Sequence, residues 1–60
     1  MEASQIQSYA RQLFEVQGAK AIVDAAQKAA AYERQGKSEE AQTWRRIEAA
    51  LMLLSGPRES

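Results

Sequence analysis

A five-residue segment occurs twice in this chain, and its spacing constrains the fold more than any other feature. The first copy, FEVQG, covers residues 14–18 and the second, YERQG, covers residues 32–36. An α-helix has about 3.6 residues per turn, so the interval between the copies is roughly five whole turns, and in one unbroken helix both aromatic side chains would project from the same side. Alternatively, each copy is the end of a helix. The first interpretation predicts a two-helix hairpin and the second a three-helix unit.

Gly18 decides between these interpretations. Glycine inside a helix costs about 1 kcal/mol relative to alanine, and it often occupies the first position past a helix end. The next residues, AKAI at 19–22, include no Ser, Thr, Asp or Asn to cap a new helix, and all of them tolerate a helix interior. We therefore expect one helix to continue through Gly18, with a break at Gly18 as the alternative.

The other helix boundaries have clearer signals, and apolar residues recur at helical spacing with no strand-like alternation, which predicts an all-α chain. Ser4 and Gln7 form a capping-box pattern at the first helix start. Gly36 is followed by Ser38, a suitable N-cap, and by two acidic residues, which favour a helix N-terminus. The sequence SGP at 55–57 should end the second helix. We predict one domain over residues 1–60, with a helix at about 4–35, a turn at 35–38, a helix at 38–54 and a frayed tail at 55–60.

The predicted long helix would have two apolar faces and would extend beyond the shorter second helix, whose single stripe contains Trp44, Ile47, Leu51 and Leu54. Two such hairpins would cover each other as a homodimeric four-helix bundle, whereas a break at Gly18 would allow a monomeric three-helix bundle. Met52 and Leu53 lie off the stripe and suggest a second contact surface near the C-terminus. The candidate interface, for a second copy or another protein, consists of Ile6, Tyr9, Leu13, Phe14 and Tyr32.

Composition also favours association. Sixty residues bury little apolar surface, and the chain has neither Cys nor His for disulfide bonds or the usual zinc sites. Much of the 45% apolar fraction is alanine, so the core should be thin. Eight basic and eight acidic residues cancel, which leaves no overall field to attract nucleic acid or an anionic membrane. No signal peptide or membrane span is recognisable, so we expect a cytoplasmic protein without a membrane partner.

The sequence contains no recognisable catalytic constellation. The acidic residues lie at polar helix positions where pairing with Lys or Arg is the ordinary explanation, and we expect no enzyme activity, cofactor or metal site. Arg34, Arg45 and Arg46 form a candidate basic patch, which makes a small dimeric nucleic-acid-binding regulator the alternative function. Glu48 lies three residues after Arg45, and aromatic residues are not interleaved with the patch, so this alternative is disfavoured.

The segment YERQGKSEEA at residues 32–41 resembles the turn of a tetratricopeptide-type helical hairpin, with matches at Tyr32, Gly36 and Ala41. The family pattern is absent further along, at Arg45 and Leu53, so the resemblance implies a helical hairpin and no more. Taken whole, the chain resembles short bacterial helical-hairpin proteins of unknown role, a resemblance that carries over no functional residue. The sequence thus favours a non-enzymatic, self-associating protein-interaction module.

Overall fold

The computed structural model describes residues 3–56, which form three α-helices and no strand within that range. The helices are α1 (Ala3–Gln17), α2 (Lys20–Arg34) and α3 (Ser38–Leu54). The all-α prediction is confirmed, and α3 has the bounds predicted for the second helix. Of the predicted tail, residues 57–60 lie outside the described part of the chain.

The prediction of one helix over residues 4–35 is wrong, because the chain breaks at Gly18. This residue has φ +65°, in the left-handed region that glycine adopts without a Cβ penalty. Its N–H donates to the Phe14 carbonyl at 2.7 Å, the single bond of an αL helix end. Ala19 is already helical at φ −63°, ψ −20°, and no side chain caps α2. The two copies of the repeated segment therefore lie at two successive helix ends, which is what the alternative interpretation predicts.

The second copy of the segment ends α2 in a different way. Gly36 has φ +78°, its N–H donates to the Glu33 carbonyl at 3.1 Å, and the Lys37 N–H donates to the Tyr32 carbonyl at 2.9 Å. These two bonds form a Schellman motif. Lys37, at φ −91°, ψ 76°, precedes α3 and makes no side-chain capping bond. Ser38 is thus the first residue of α3 and not its N-cap.

The N-cap prediction for Ser4 fails in a similar way, since α1 begins at Ala3 and Ser4 lies within it. An N-cap at Ser4 would start α1 two residues later than observed, and an N-cap at Ser38 would start α3 one residue later, both within the usual fraying of helix ends. The positions of the helices were therefore predictable to one or two residues at these two ends.

The core lies between α3 and the other two helices. α3 packs most extensively on α2 and also on α1, whereas α1 and α2 contact each other least. Ile47 and Leu51 are the largest fully buried side chains in the described range. The buried residues of α2 are all alanines, at positions 21, 25 and 29, and Ile22 packs against the core beside them. Small residues allow two helices to approach closely. Alanine supplies five of the eight buried residues between 3 and 56, which confirms the thin core.

Membrane crossing is not supported by any helix within residues 3–56, since none is long and apolar enough to span a bilayer.

Candidate interaction surface

Most of the candidate interface predicted for the long first helix does not remain on the surface, and Tyr9, at 37% exposed, is the exception. Ile6 is only 5% exposed and belongs to the core of its own chain, so it does not lie on a free surface. Leu13 and Phe14 are half-buried and pack against the same core, and Tyr32 is half-buried. The break at Gly18 removes the overhang that would have left these residues uncovered, because it lets α1 pack on α3 of its own chain.

Tyr9, the remaining member of that set, contacts Trp44. The two rings meet edge to face, with centroids 6.0 Å apart and an interplanar angle of 72°. Lys28 places its Nζ 5.3 Å from the Trp44 ring centroid, a cation–π distance. Trp44 therefore joins α1, α2 and α3. Its position on the stripe predicted a core residue, and it packs against the core while remaining partly exposed.

Exposed apolar side chains concentrate instead at the C-terminal end of α3. Leu51 is fully buried, and the next two residues project about 100° and 200° around the helix from it. Met52 is 50% exposed and Leu53 is 82% exposed, as expected for the second contact surface near the C-terminus. Leu54, which was predicted to belong to the buried stripe, is 37% exposed. We call Met52, Leu53 and Leu54 the C-terminal apolar surface.

Leu53 forms a ridge between two concave areas. On one side is a shallow groove of about 570 Å³ lined by Ala49, Met52, Leu53 and Gly56. On the other side is a smaller groove of about 180 Å³ lined by Ala50, Leu53, Leu54 and two polar residues of α1, Gln7 and Arg11. The surface thus offers both a projecting apolar side chain and an apolar recess beside it.

Two further exposed valines lie at the same end of the molecule. α2 and α3 pack across a tight turn and run antiparallel, so the start of α2 lies beside the end of α3. Val23 is in the first turn of α2, and Val16 is in the last turn of α1, separated from α2 only by Gly18 and Ala19. Val16 is 82% exposed and Val23 is 53% exposed.

The candidate basic patch is partly neutralised by neighbouring carboxylates. Arg45 donates from Nε and Nη2 to the two carboxylate oxygens of Glu33, both at 3.2 Å, and from Nη1 to Glu48 at 3.1 Å. Hydrogen bonds to Glu33 and then Glu48 raise the pKa of Arg45, whose guanidinium therefore stays charged and paired. The sequence showed the pairing with Glu48, but not that with Glu33, which requires the antiparallel packing of α2 on α3.

Arg34 and Arg46 are exposed, and neither forms an ion pair with another residue of the range 3–56. Arg46 lines an open groove of about 630 Å³ at the α2–α3 turn, together with Glu33, Ser38, Gln42 and Arg45. A carboxylate therefore lies in the same groove as the two arginines. This arrangement gives the groove mixed charge, which does not match a polyanion.

Metal-ligand geometry is not found within the described residues, where no three acidic, His or Cys side chains converge. No charged or polar side chain there is buried. No buried ionisable side chain within residues 3–56 therefore stands out as a candidate for acid–base chemistry.

No protein-family model matches this chain, and neither the curated proteins nor the solved structures include one that is significantly similar to it.

Proposed function

We propose that this chain is a non-enzymatic protein-interaction module that binds a second copy of itself through the C-terminal apolar surface. The observation that carries the proposal is Leu53, a large apolar side chain that is 82% exposed beside an apolar groove. Contiguous exposed apolar residues are typical of contact surfaces, whereas single ones are common on any protein. In this surface, Met52 and Leu54 flank Leu53.

A second copy is the partner that the surface fits best. In a twofold dimer the same patch meets itself, so Leu53 of each protomer can enter the groove beside Met52 of the other. The formal net charge is zero, so two copies do not repel each other overall. The alanine-rich core also leaves this short chain with little burial of its own, and association is one of the ways in which small domains gain stability.

The size of the contact can be estimated. A standard interface buries about 800 Å² on each partner. The described surface totals 4485 Å², so such an interface would cover a little under a fifth of it. The C-terminal apolar surface is too small to supply this alone, and Val16 and Val23 lie at the same end of the bundle. We therefore include both valines in the proposed interface.

The proposal is tested by sedimentation equilibrium over a concentration series with Leu53→Glu and a matched control. Gln42→Glu adds the same charge to an exposed position near the opposite end of α3. We expect the wild type and Gln42→Glu to dimerise, and Leu53→Glu to remain a monomer with unchanged helix content by circular dichroism. A wild-type chain that is monomeric at all concentrations, or a Leu53→Glu dimer as tight as the wild type, would contradict the proposal.

Leu53 is a better probe than a residue of α1. Leu13→Glu would place a charge against the core, and loss of a dimer could then result from unfolding.

Nucleic-acid binding through the basic patch is the weaker alternative, and Arg46 is the residue that favours it. Its side chain is exposed in a wide groove, and no ion pair with another residue of the range 3–56 occupies it. Binding of RNA or DNA that weakens steeply with salt and is lost in Arg46→Ala would support this alternative. Arg45→Ala would have a smaller effect because Glu33 and Glu48 already engage that guanidinium.

A further inference from the structure

The separation of α1 from α2 depends on the conformation of one residue. α1 extends to Gln17, and Ala19 already has helical dihedral angles of −63° and −20°. Gly18, at φ +65°, is the residue between them with a left-handed backbone. A change of Gly18 to helical angles would therefore join α1 and α2 into one continuous helix.

Little in the local structure opposes such a change. No side chain caps the start of α2, and its first turn contains no acidic residue to favour a separate N-terminus. A Cβ placed on Gly18 would meet nothing within 4 Å, so the surroundings are open. Residues 19–23 include no glycine or proline to resist a continuous helix.

The contacts of α1 can be satisfied by another molecule. α1 packs mainly on α3 and least on α2, the helix to which it is directly joined. Its buried residues Ile6 and Ala10 belong to the same cluster as Ile47 and Leu51 of α3. If α1 left this site, α1 of a second copy would restore the same contacts with the same residues, which is the condition for domain swapping.

We propose that Gly18 is a hinge through which two copies of this chain exchange α1. In the exchanged dimer each chain has a continuous helix from α1 through α2, and each α1 packs on α3 of the partner. The resulting assembly contains four helices. The exchange rests on the proposed self-association, but it uses the α1 site on α3 and not the C-terminal apolar surface.

The turn at Gly36 provides an internal control because the same segment precedes it. There the Schellman motif makes two bonds, and Lys37 is not helical, so a continuous helix would require two residues to change. Arg45 also bridges to Glu33 across this turn. The α2–α3 hairpin should therefore stay closed when its glycine is replaced.

The first experiment compares Gly18→Ala, Gly18→Asn and Gly36→Ala by sedimentation equilibrium. Alanine disfavours φ +65° and favours a helix interior, and together these preferences are worth roughly tenfold per chain or more. We expect Gly18→Ala to tighten the dimer by roughly a hundredfold, since two chains change. Asn tolerates the left-handed region and is a poorer helix former, so its effect should be smaller. Gly36→Ala should not promote dimerisation.

The second experiment distinguishes exchange from surface contact. The chain has no Cys, so Gln7→Cys and Ala50→Cys introduce a single thiol pair across the groove that both residues line, and neither residue belongs to the C-terminal apolar surface. A short bis-maleimide should link the pair within one chain in the monomer, and should link two chains covalently in the Gly18→Ala dimer. Intramolecular linkage alone in that dimer, or a Gly18→Ala protein that stays monomeric, would overturn the exchange.

Leu53→Glu separates the two proposals. A Gly18→Ala dimer that survives Leu53→Glu and is linked between chains establishes exchange without the C-terminal apolar surface. If Leu53→Glu abolishes the wild-type dimer and Gly18→Ala has no effect on association, the surface contact is established and the exchange is overturned.

Discussion

The two turns of this protein come after nearly the same five residues, yet they join their helices differently. At Gly36 the chain makes two terminal hydrogen bonds, passes through the non-helical Lys37 and starts α3 beside two acidic residues. At Gly18 it makes one such bond and starts α2 at once, with no cap. The difference teaches that glycine at the end of a helix specifies where that helix stops. Whether a second helix begins there depends on the residues after the glycine and on the tertiary contacts available to the first helix.

The contacts that hold the two turns also differ. The Gly36 turn is closed by the alanine face of α2 against α3 and by the ion pair of Glu33 with Arg45. The Gly18 turn is closed by the packing of α1 on α3, which is distant from the turn in the sequence. The two sets of contacts meet in one core cluster, in which Ile47 and Leu51 of α3 lie with Ile6 and Ala10 of α1 and with Ala21 and Ala25 of α2.

The largest effect should come from Ile47→Ala, which tests whether the two turns form one cooperative unit. Removing a fully buried isoleucine side chain costs about 2–5 kcal/mol, a large part of the stability expected for a domain of this size. We expect urea unfolding monitored by Trp44 fluorescence and by circular dichroism to shift together. Leu53→Ala, at an exposed position, should change the free energy of unfolding by less than about 0.5 kcal/mol. Separate transitions would show that α1 unfolds independently of the α2–α3 hairpin.

Gly36→Ala should have the next largest effect and sharpens the difference between the turns. Alanine at φ +78° costs about 1–2 kcal/mol, and the turn has no easy alternative conformation. We expect thermal unfolding to show this loss, with Gly36→Asn losing less because Asn tolerates the left-handed region better. A neutral Gly36→Ala would mean that the positive φ is not needed to close the hairpin.

Much of this fold could be predicted from local signals in the sequence. The all-α class, the bounds of α3 and the turn near Gly36 can be read from apolar periodicity, from glycine and from the acidic residues after it. The break at Gly18 could not, because its neighbours have no capping residue and suit a continuous helix. Its cause is the packing of Ile6 and Ala10 on α3, a contact between distant parts of the chain.

The choice of residues for the candidate surface depended on whether the first helix was predicted to continue through Gly18. With a continuous helix, Ile6 and Leu13 would remain uncovered in a single chain, whereas the break allows both to pack in the core of their own chain. Met52 and Leu53 were identifiable because their positions relative to Leu51 do not involve Gly18. Helical phase identified the buried positions Ile47 and Leu51 within α3, although it did not hold for Leu54 at the end of that helix, and it fails across a residue that redirects the chain.

Ser38→Ala should have a small effect and tests where the second turn ends. If Ser38 capped α3 through its side chain, its removal would cost about 1 kcal/mol. Because Lys37 occupies the N-cap position and Ser38 is already helical, we expect a change below about 0.5 kcal/mol in urea unfolding. A loss near the full capping value would place the boundary one residue later, where the sequence signals predicted it.

Glu33→Gln should have the smallest effect, and the repeat supplies its control. Glu33 and Glu15 occupy equivalent places in the two copies, but within residues 3–56 only Glu33 pairs with Arg45 across a turn. The pair is exposed, so water and salt screen it, and Glu33→Gln should lower the melting temperature slightly at low salt and hardly at all at high salt. Glu15→Gln should show no such salt dependence. Equal responses of the two variants would mean that the Glu33–Arg45 ion pair does not contribute to the difference between the Gly36 turn and the Gly18 turn. The asymmetry would then rest on the Schellman bonds and the conformation of Lys37 alone.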